Sequence, residues 1–198
     1  GAATFIGSST VPETSFVVAG KAARMESKYA VIAFAAGNIY TGTFGKIAGV
    51  GAELDWGVPF SSRPKSLKGY YSYTPKPIDR VNKEKLSADG KDPDALLGTM
   101  DRCQIQVILA DWDTPFRVNT NAGEFVDVQN DPHIIAHAML ESDVATDGYQ
   151  EFELELEYRD MTRTPKYVVI SACGSYLGDY FTGGTGSLMY VDEFEFVY

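Results

Sequence analysis

The segment from Glu151 to Tyr158 constrains the fold more than any other, because glutamate alternates in it with apolar or aromatic residues. Successive side chains of a β-strand point to opposite faces, so the four apolar side chains share one face and the four glutamates the other. The inward face consists of Phe152, Leu154, Leu156 and Tyr158. This pattern predicts a half-buried antiparallel strand.

Other segments show the same strand character. The clearest are residues 67–74, 103–111, 166–173 and 188–198, and the weaker ones are 16–20, 22–26, 31–35, 38–44, 52–56 and 134–140. The best helix candidate, 92–98, is short and lies in a polar connection, 75–101, long enough to cross between sheets. About ten strands without βαβ alternation predict one all-β domain over residues 1–198, a jelly-roll β-sandwich of two antiparallel sheets.

Charge narrows the classes of partner. The chain has 17 Lys and Arg residues against 27 Asp and Glu residues, which gives a formal charge of −10. Such a surface repels the phosphates of nucleic acids and disfavours anionic membranes, whereas neutral ligands or ligands bridged by cations suit it. No apolar run is long enough for a transmembrane segment. Cys103 and Cys173 fit no metal-ligand spacing, and both a pair of buried thiols and a disulfide remain open.

Asp192 is the candidate metal ligand. Counting by twos from Leu188 places it on one face with Tyr190, Phe194 and Phe196, so we expect a carboxylate among large apolar neighbours. A buried carboxylate needs a cation or several hydrogen-bond donors. A structural calcium held by Asp192 and carbonyl oxygens is one solution, and a plain hydrogen-bonded aspartate is the other.

Aromatic residues beside polar ones are the candidate sugar contacts, because sugars offer C–H faces and hydroxyl groups. The glycine-rich loop 175–187 carries two of them, and others stand near the tryptophans. The candidates are Trp56, Arg63, Tyr70, Trp112, Asp179 and Tyr180. For each aromatic the alternative is a side chain that closes the end of the core.

Two catalytic interpretations can be drawn from the residues. A glycosidase needs two carboxylates at a separation of roughly 5–9.5 Å, and Asp111, Asp113 and Asp179 are the candidates. His133 and His137 have the spacing of a zinc pair on a helix, but the expected glutamate is missing and the segment favours a strand.

Several segments resemble the putative carbohydrate metabolism domain family, found in surface and secreted proteins of gut bacteria. They are residues 39–44, 63–73, 109–112, 158–170, 178–187 and 190–194. More loosely, 20–25 and the last strand are similar to galactose-binding-like carbohydrate-binding modules, many of which hold calcium near that strand, which supports Asp192 as a ligand.

The resemblance implies a galactose-binding-like jelly roll that binds a polysaccharide or oligosaccharide. It also implies export, to the periplasm, the cell surface (a lipoprotein included) or the medium, with a leader and an N-terminal companion domain outside this chain. A carbohydrate-binding module is therefore the first functional hypothesis. A glycoside hydrolase and a structural or protein-interaction domain are the alternatives.

Overall fold

A computed structural model describes residues 8–30 and 33–198. The strands are β1 (Thr10–Glu13), β2 (Ala22–Glu26), β3 (Lys28–Ala30), β4 (Ala33–Ala35), β5 (Asn38–Tyr40), β6 (Gly42–Ala48), β7 (Gly51–Trp56), β8 (Val58–Pro59), β9 (Ser66–Thr74), β10 (Cys103–Ala110), β11 (Phe116–Asn119), β12 (Ile134–Ser142), β13 (Gln150–Glu155), β14 (Glu157–Tyr158), β15 (Tyr167–Cys173) and β16 (Leu188–Val197). The helices are α1 (Lys83–Ala88), α2 (Pro93–Leu96) and a 3-10 turn (Gly178–Tyr180). Among these described residues, no helix is long and apolar enough to cross a membrane.

The strand order is that of a jelly roll. The first sheet runs β1-β2-β16-β9-β13 and the second runs β14-β12-β10-β15-β5, all antiparallel. If β2, β5, β9, β10, β12, β13, β15 and β16 are numbered from one to eight, the sheets have the orders 1-8-3-6 and 5-4-7-2. This is the connectivity of two Greek keys folded over each other. The predicted all-β sandwich is confirmed.

The second sheet is buried on both faces. Its inner face packs on the first sheet through fully buried side chains such as Ile105, Val107 and Tyr73. Its outer face carries Ile108 and is covered by a small three-stranded sheet, β11-β7-β6, which contributes Trp56 and Phe116. Burial on both faces explains why β10 and β15 are nearly continuous apolar runs.

The alternating segment 151–158 is divided between the two sheets. Its first part, β13, pairs with β9 of the first sheet, and its last two residues, β14, pair with β12 of the second. Leu156, at the crossing between the sheets, is 6% exposed. The predicted inward face is confirmed at Phe152 and Leu156, but the prediction of one continuous strand is wrong.

A β-bulge in β16 changes the face that Asp192 occupies. Asp192 lies opposite Tyr70, whereas Glu195 lies opposite Lys68, so β16 holds one residue more than β9 between these two pairs. Met189 and Val191 therefore face the core before the bulge, and Phe194 and Phe196 pack on it afterwards. The expectation that Asp192 shares a face with Phe194 and Phe196 is wrong, because strict alternation ends at the bulge.

Glu193 has a left-handed backbone at this bulge, with φ of 52°. We expect Glu193→Gly to raise the free energy of unfolding by about 0.5–1 kcal/mol, because glycine adopts this conformation without the cost that a Cβ brings. Chemical denaturation of the wild type and the variant measures this difference in the free energy of unfolding. Glu195→Gly is the matched control on the same strand and should lower stability, so an equal loss in both variants would contradict the prediction.

The helix and the long connection are confirmed, whereas the predicted strand over residues 16–20 is wrong. Helix α2 begins at Pro93 with Asp92 as its N-cap, and the polar connection crosses from β9 in the first sheet to β10 in the second. Residues 16–20 do not form a strand but a loop beside Asp192. Of the predicted strand 31–35, residues 31 and 32 lie outside the described residues and β4 occupies the rest. Helix α1 was not predicted.

Candidate functional site

A narrow cleft opens between the three-stranded sheet and the outer face of the second sheet. Strands β5, β7, β10 and β15 line it together with the 3-10 turn, and its volume is about 60 Å³, enough for a few water molecules. We call it the Trp56 cleft and define it by Asn38, Tyr40, Trp56, Gln104, Tyr176 and Asp179. It brings together two of the predicted sugar contacts, Trp56 and Asp179.

Trp56, in the wall of this cleft, has an unused hydrogen-bond donor. Its indole Nε1 is buried and has no acceptor among the described residues. The ring stacks on Tyr40, with 6.2 Å between centroids and 27° between planes. A buried N–H without a partner costs about 1–3 kcal/mol, so native structures rarely keep one without a reason. An acceptor supplied by a ligand would remove this cost.

Asp179 presents an unused acceptor in the same cleft. Its carboxyl group is part-buried and receives no hydrogen bond from the described residues. Burial raises the pKa of Asp179 to about 6, because the charged form loses hydration without gaining a partner. Carboxyl groups in such surroundings are typical of functional sites.

A buried carboxylate, Asp101, holds the loop that carries Asp179. Its Oδ2 accepts hydrogen bonds from Ser175 Oγ at 2.6 Å, the Gly184 amide at 2.7 Å and Ser187 Oγ at 3.0 Å. Its Oδ1 accepts one from the Arg102 amide at 2.8 Å. Asp101 is fully buried, and sequence reasoning missed it because three of its four donors lie more than 70 residues further along the chain.

The glycines of this loop serve close packing. A Cβ added at Gly184 would lie 2.6 Å from the Lys76 carbonyl oxygen, and one at Gly183 would lie 2.5 Å from the Phe34 ring. Both distances are too short for a side chain. The glycine-rich pattern therefore reflects how tightly the loop sits on the sandwich.

Tyr180 lies outside the Trp56 cleft. Its hydroxyl group donates to Asp89 Oδ2 at 2.8 Å, Lys91 Nζ lies 4.7 Å from its ring centre, and its ring contacts Phe125. Its polar atom and ring are thus engaged with the connection that carries α1 and α2.

Trp112 is not an exposed platform. It is 6% exposed, its Nε1 donates to Asp131 Oδ2 at 2.8 Å, and its ring packs on Phe116. The alternative of a core-closing side chain is the one that the structure shows.

Arg63 and Tyr70 lie on other parts of the surface. The Arg63 guanidinium donates to the carbonyl oxygens of Arg163 and Asp160 at 2.6 and 2.8 Å and covers the Tyr158 ring. Tyr70 is part-exposed and lines a separate groove of about 500 Å³ on the outer face of the first sheet, beside Lys68, Glu151, Glu193 and Glu195. The predicted ligand contacts are thus dispersed, with only Trp56 and Asp179 together.

The candidate catalytic acids do not converge. Asp111 pairs with His133 Nδ1 at 3.0 Å and Arg163 Nη1 at 3.1 Å. Asp113 pairs with Lys166 at 2.8 Å, and this hydrogen bond lowers the pKa of Asp113, which is unlike a general acid.

Asp179 lies near the opposite end of β10 from both of these acids. It shares the cleft with Gln104, whereas Asp111 follows Ala110. Six residues of extended strand span about 20 Å, well beyond the separation of a glycosidase pair.

The surroundings of Asp192 fit a hydrogen-bonded carboxylate. Its Oδ2 accepts from the amides of Val18 at 2.7 Å and Ala19 at 3.2 Å, and its Oδ1 accepts from the Glu193 amide at 3.0 Å. These N–H groups point their positive ends at the oxygens, which does not suit a cation. In residues 8–30 and 33–198, no group of three or more acidic, His or Cys side chains could hold a metal. Calcium stays an untested prediction.

The histidines have hydrogen-bond partners, and the two cysteines are unbridged. His137 lies on β12, as the strand interpretation expected, with Nε2 3.0 Å from Gln106 Nε2, and burial lowers its pKa. Both thiols are free. Cys173 lies opposite Gln104 in the ladder and faces the Trp56 cleft, whereas Cys103 faces the core, so the two point to different faces of the sheet.

Fold and site together define a jelly-roll sandwich with an aromatic and carboxylate cleft on its side. The sequence profile described as "Putative carbohydrate metabolism domain" matches residues 5–197, and the chain therefore belongs to this family. The resemblance found in the sequence is thus confirmed, and the chain is related to carbohydrate metabolism. No curated protein sequence matches the chain.

Two solved structures share the fold. A putative glycoside hydrolase from Bacteroides thetaiotaomicron is 21% identical with a TM-score of 0.72, covering 96% of this chain and 57% of its own. Another from Bacteroides vulgatus is 20% identical with a TM-score of 0.67, covering 96% of this chain and 77% of its own. The chain thus spans little more than half of the first protein. At these identities the similarity establishes the fold alone.

Proposed function

We propose that the chain is a carbohydrate-binding module and that the edge of one sugar ring enters the Trp56 cleft. The observation that carries this proposal is an unused acceptor in the cleft, the Asp179 carboxylate, together with an unused donor in the cleft wall, the buried Nε1 of Trp56, which a ligand reaches when the indole side chain shifts. A sugar hydroxyl group donates one hydrogen bond and accepts others, so the hydroxyl groups along one ring edge satisfy both. A bound sugar then gives both groups the hydrogen bonds that they lack in the free protein, which lowers the free energy of the complex.

The other lining side chains suit the same ligand. The stacked rings of Tyr40 and Trp56 offer apolar surface for sugar C–H groups. The side-chain amides of Asn38 and Gln104 already donate to the Ala36 carbonyl oxygen and to Glu141, and their own oxygens offer further acceptors. The small volume of the cleft admits part of a ring, so the rest of an oligosaccharide would lie on the surface outside.

The family supports a carbohydrate ligand, and the formal charge of −10 favours one without negative charge. We extend the proposal to an exported protein, as the resemblance implies. The spacer hypothesis is disfavoured, because a purely structural domain has no need of an unpaired donor and an unpaired acceptor in one cleft.

A glycoside hydrolase is the second candidate. The raised pKa of Asp179, about 6, suits a general acid. However, Asp179 is the only carboxylate among the described lining residues, and hydrolysis needs a second one as nucleophile or base. Binding is therefore the function that the geometry supports better.

Removing the indole N–H tests the proposal. We expect Trp56→Phe, which keeps an aromatic ring but loses the donor, to weaken binding about tenfold, in line with the loss of one buried hydrogen bond. The ligand would be the best oligosaccharide from a glycan array, with affinity measured by isothermal titration calorimetry.

The matched control is Trp112→Phe, which removes an indole N–H that bonds Asp131 outside the cleft and should leave affinity unchanged. Unaltered binding by Trp56→Phe would contradict the role of the cleft. An array on which no glycan binds would contradict the proposed function itself.

A further inference from the structure

We infer that the sugar taken by the Trp56 cleft carries a free, protonated amino group, which pairs with the Asp179 carboxylate. This inference rests on the proposed function and names the ligand class for that same site.

Charge in the cleft is uncompensated. Asp179 is the only charged side chain among the described lining residues, and no Lys, Arg or His accompanies it. Some carboxylates elsewhere on the chain have a cation at hand, as Asp113 has Lys166 and Asp55 has Arg117. A part-buried carboxylate without a partner therefore leaves room for a cation that arrives with the ligand.

The titratable groups beside Asp179 are uncharged at neutral pH, so none of them compensates its negative charge. Burial raises the pKa of Tyr40 on β5, of Cys173 on β15 and of Tyr176 in the adjoining loop, so all three stay uncharged. Arg102 does not line the cleft. Its guanidinium group lies over the Tyr176 ring, with the guanidinium carbon 5.7 Å from the ring centre.

The aromatic side chains that line the cleft favour an ammonium group. Tyr40, Trp56 and Tyr176 line the same small volume as the carboxylate. Aromatic faces attract cations through their quadrupoles, and the attraction grows when the cation is desolvated. Aromatic rings around one carboxylate are thus complementary to a protonated amine, and they are unfavourable for the carboxylate of a uronic acid.

An amino sugar also satisfies Trp56. On a 2-amino-2-deoxy sugar, the hydroxyl group on the neighbouring carbon lies beside the amine and accepts a hydrogen bond from an N–H donor. The amine pairs with Asp179, and this hydroxyl group can accept from Trp56 Nε1 once the indole side chain shifts toward the cleft. An N-acetyl group removes the positive charge, so the sugar loses its attraction to the Asp179 carboxylate.

The test compares three trisaccharides with the same linkage that differ only at C2, namely those of glucosamine, N-acetylglucosamine and glucose. Affinities would be measured by calorimetry near pH 7 for the wild type, Asp179→Asn and Asp113→Asn. We expect the glucosamine trisaccharide to bind at least tenfold more tightly than the other two, and Asp179→Asn to abolish this preference. Asp113→Asn removes one exposed negative charge far from the cleft and should keep it.

Three results would overturn the inference. The first is equal or tighter binding of the glucose or N-acetylglucosamine trisaccharide, or binding only of other glycans on the array. The second is an amine preference that survives in Asp179→Asn. The third is loss of the amine preference in Asp113→Asn as well, which would show that the net charge of the protein, and not Asp179, attracts the amine. Absence of binding to any glycan contradicts the proposed function instead.

Discussion

Replacing Asp101 by alanine is expected to lower the free energy of unfolding by about 3–5 kcal/mol, because four hydrogen-bond donors lose one shared buried acceptor. The change leaves the hydroxyl groups of Ser175 and Ser187 and the amides of Gly184 and Arg102 without their acceptor inside the protein. Each unsatisfied buried donor costs about 1–3 kcal/mol, although relaxation and water recover part of this sum.

Chemical denaturation with circular dichroism measures the loss. Asp101→Asn keeps the shape and one acceptor oxygen, so it should lose less than the alanine variant. Asp143→Ala, at an exposed position, is the control and should stay within about 0.5 kcal/mol of the wild type. A loss below about 1 kcal/mol for Asp101→Ala would show that the carboxylate does not hold the loop.

Asp179→Asn is expected to make the protein more stable at pH 7.5, by about 2–3 kcal/mol. The unfolded chain releases this proton near the ordinary value of 3.8, whereas the folded chain keeps it until about pH 6. Between these values the folded state binds more protons, so the free energy of unfolding falls as pH rises and the loss is complete above pH 6. One pKa unit corresponds to about 1.4 kcal/mol, which sets the size of the effect.

Denaturation curves of both proteins between pH 4 and 8 test this expectation. The difference in stability should be small near pH 4 and should grow through the interval up to pH 6. Asp113→Asn is the control. The hydrogen bond with Lys166 lowers the pKa of Asp113, so this variant should be less stable than the wild type at neutral pH. A stability difference that does not vary with pH would contradict the unpaired carboxylate at Asp179.

Much of the fold was predictable because its signals are local. Alternation and turn residues placed most of the strands, and the boundaries of β2 agree with the prediction to the residue. The length of the connection between β9 and β10 indicated a crossing between sheets. The errors came at β13 and β14, where alternation continues while the chain changes sheet, and at the bulge beside Asp192, where one extra residue reverses the phase.

The candidate site was predictable only as single residues. Trp56 and Asp179 were both expected to contact a ligand, yet Trp112 has the same local features as Trp56 and is buried with its N–H bonded. No property of the neighbouring residues separates these two tryptophans. The difference is whether an acceptor comes close in space, and Asp131 does so for Trp112.

The amino-acid sequence by itself determined the class of the fold, the mostly apolar central strands and the acidic surface, because these depend on residue type and on spacing along one strand. Only the tertiary structure decided that Trp56 and Asp179 share a cleft, that Asp192 accepts three amide hydrogen bonds, and that Asp101 anchors the loop. Apart from the amide of Glu193, these contacts join residues more than 70 positions apart along the chain. Such contacts depend on how the sheets and loops pack, and local sequence patterns do not specify that packing.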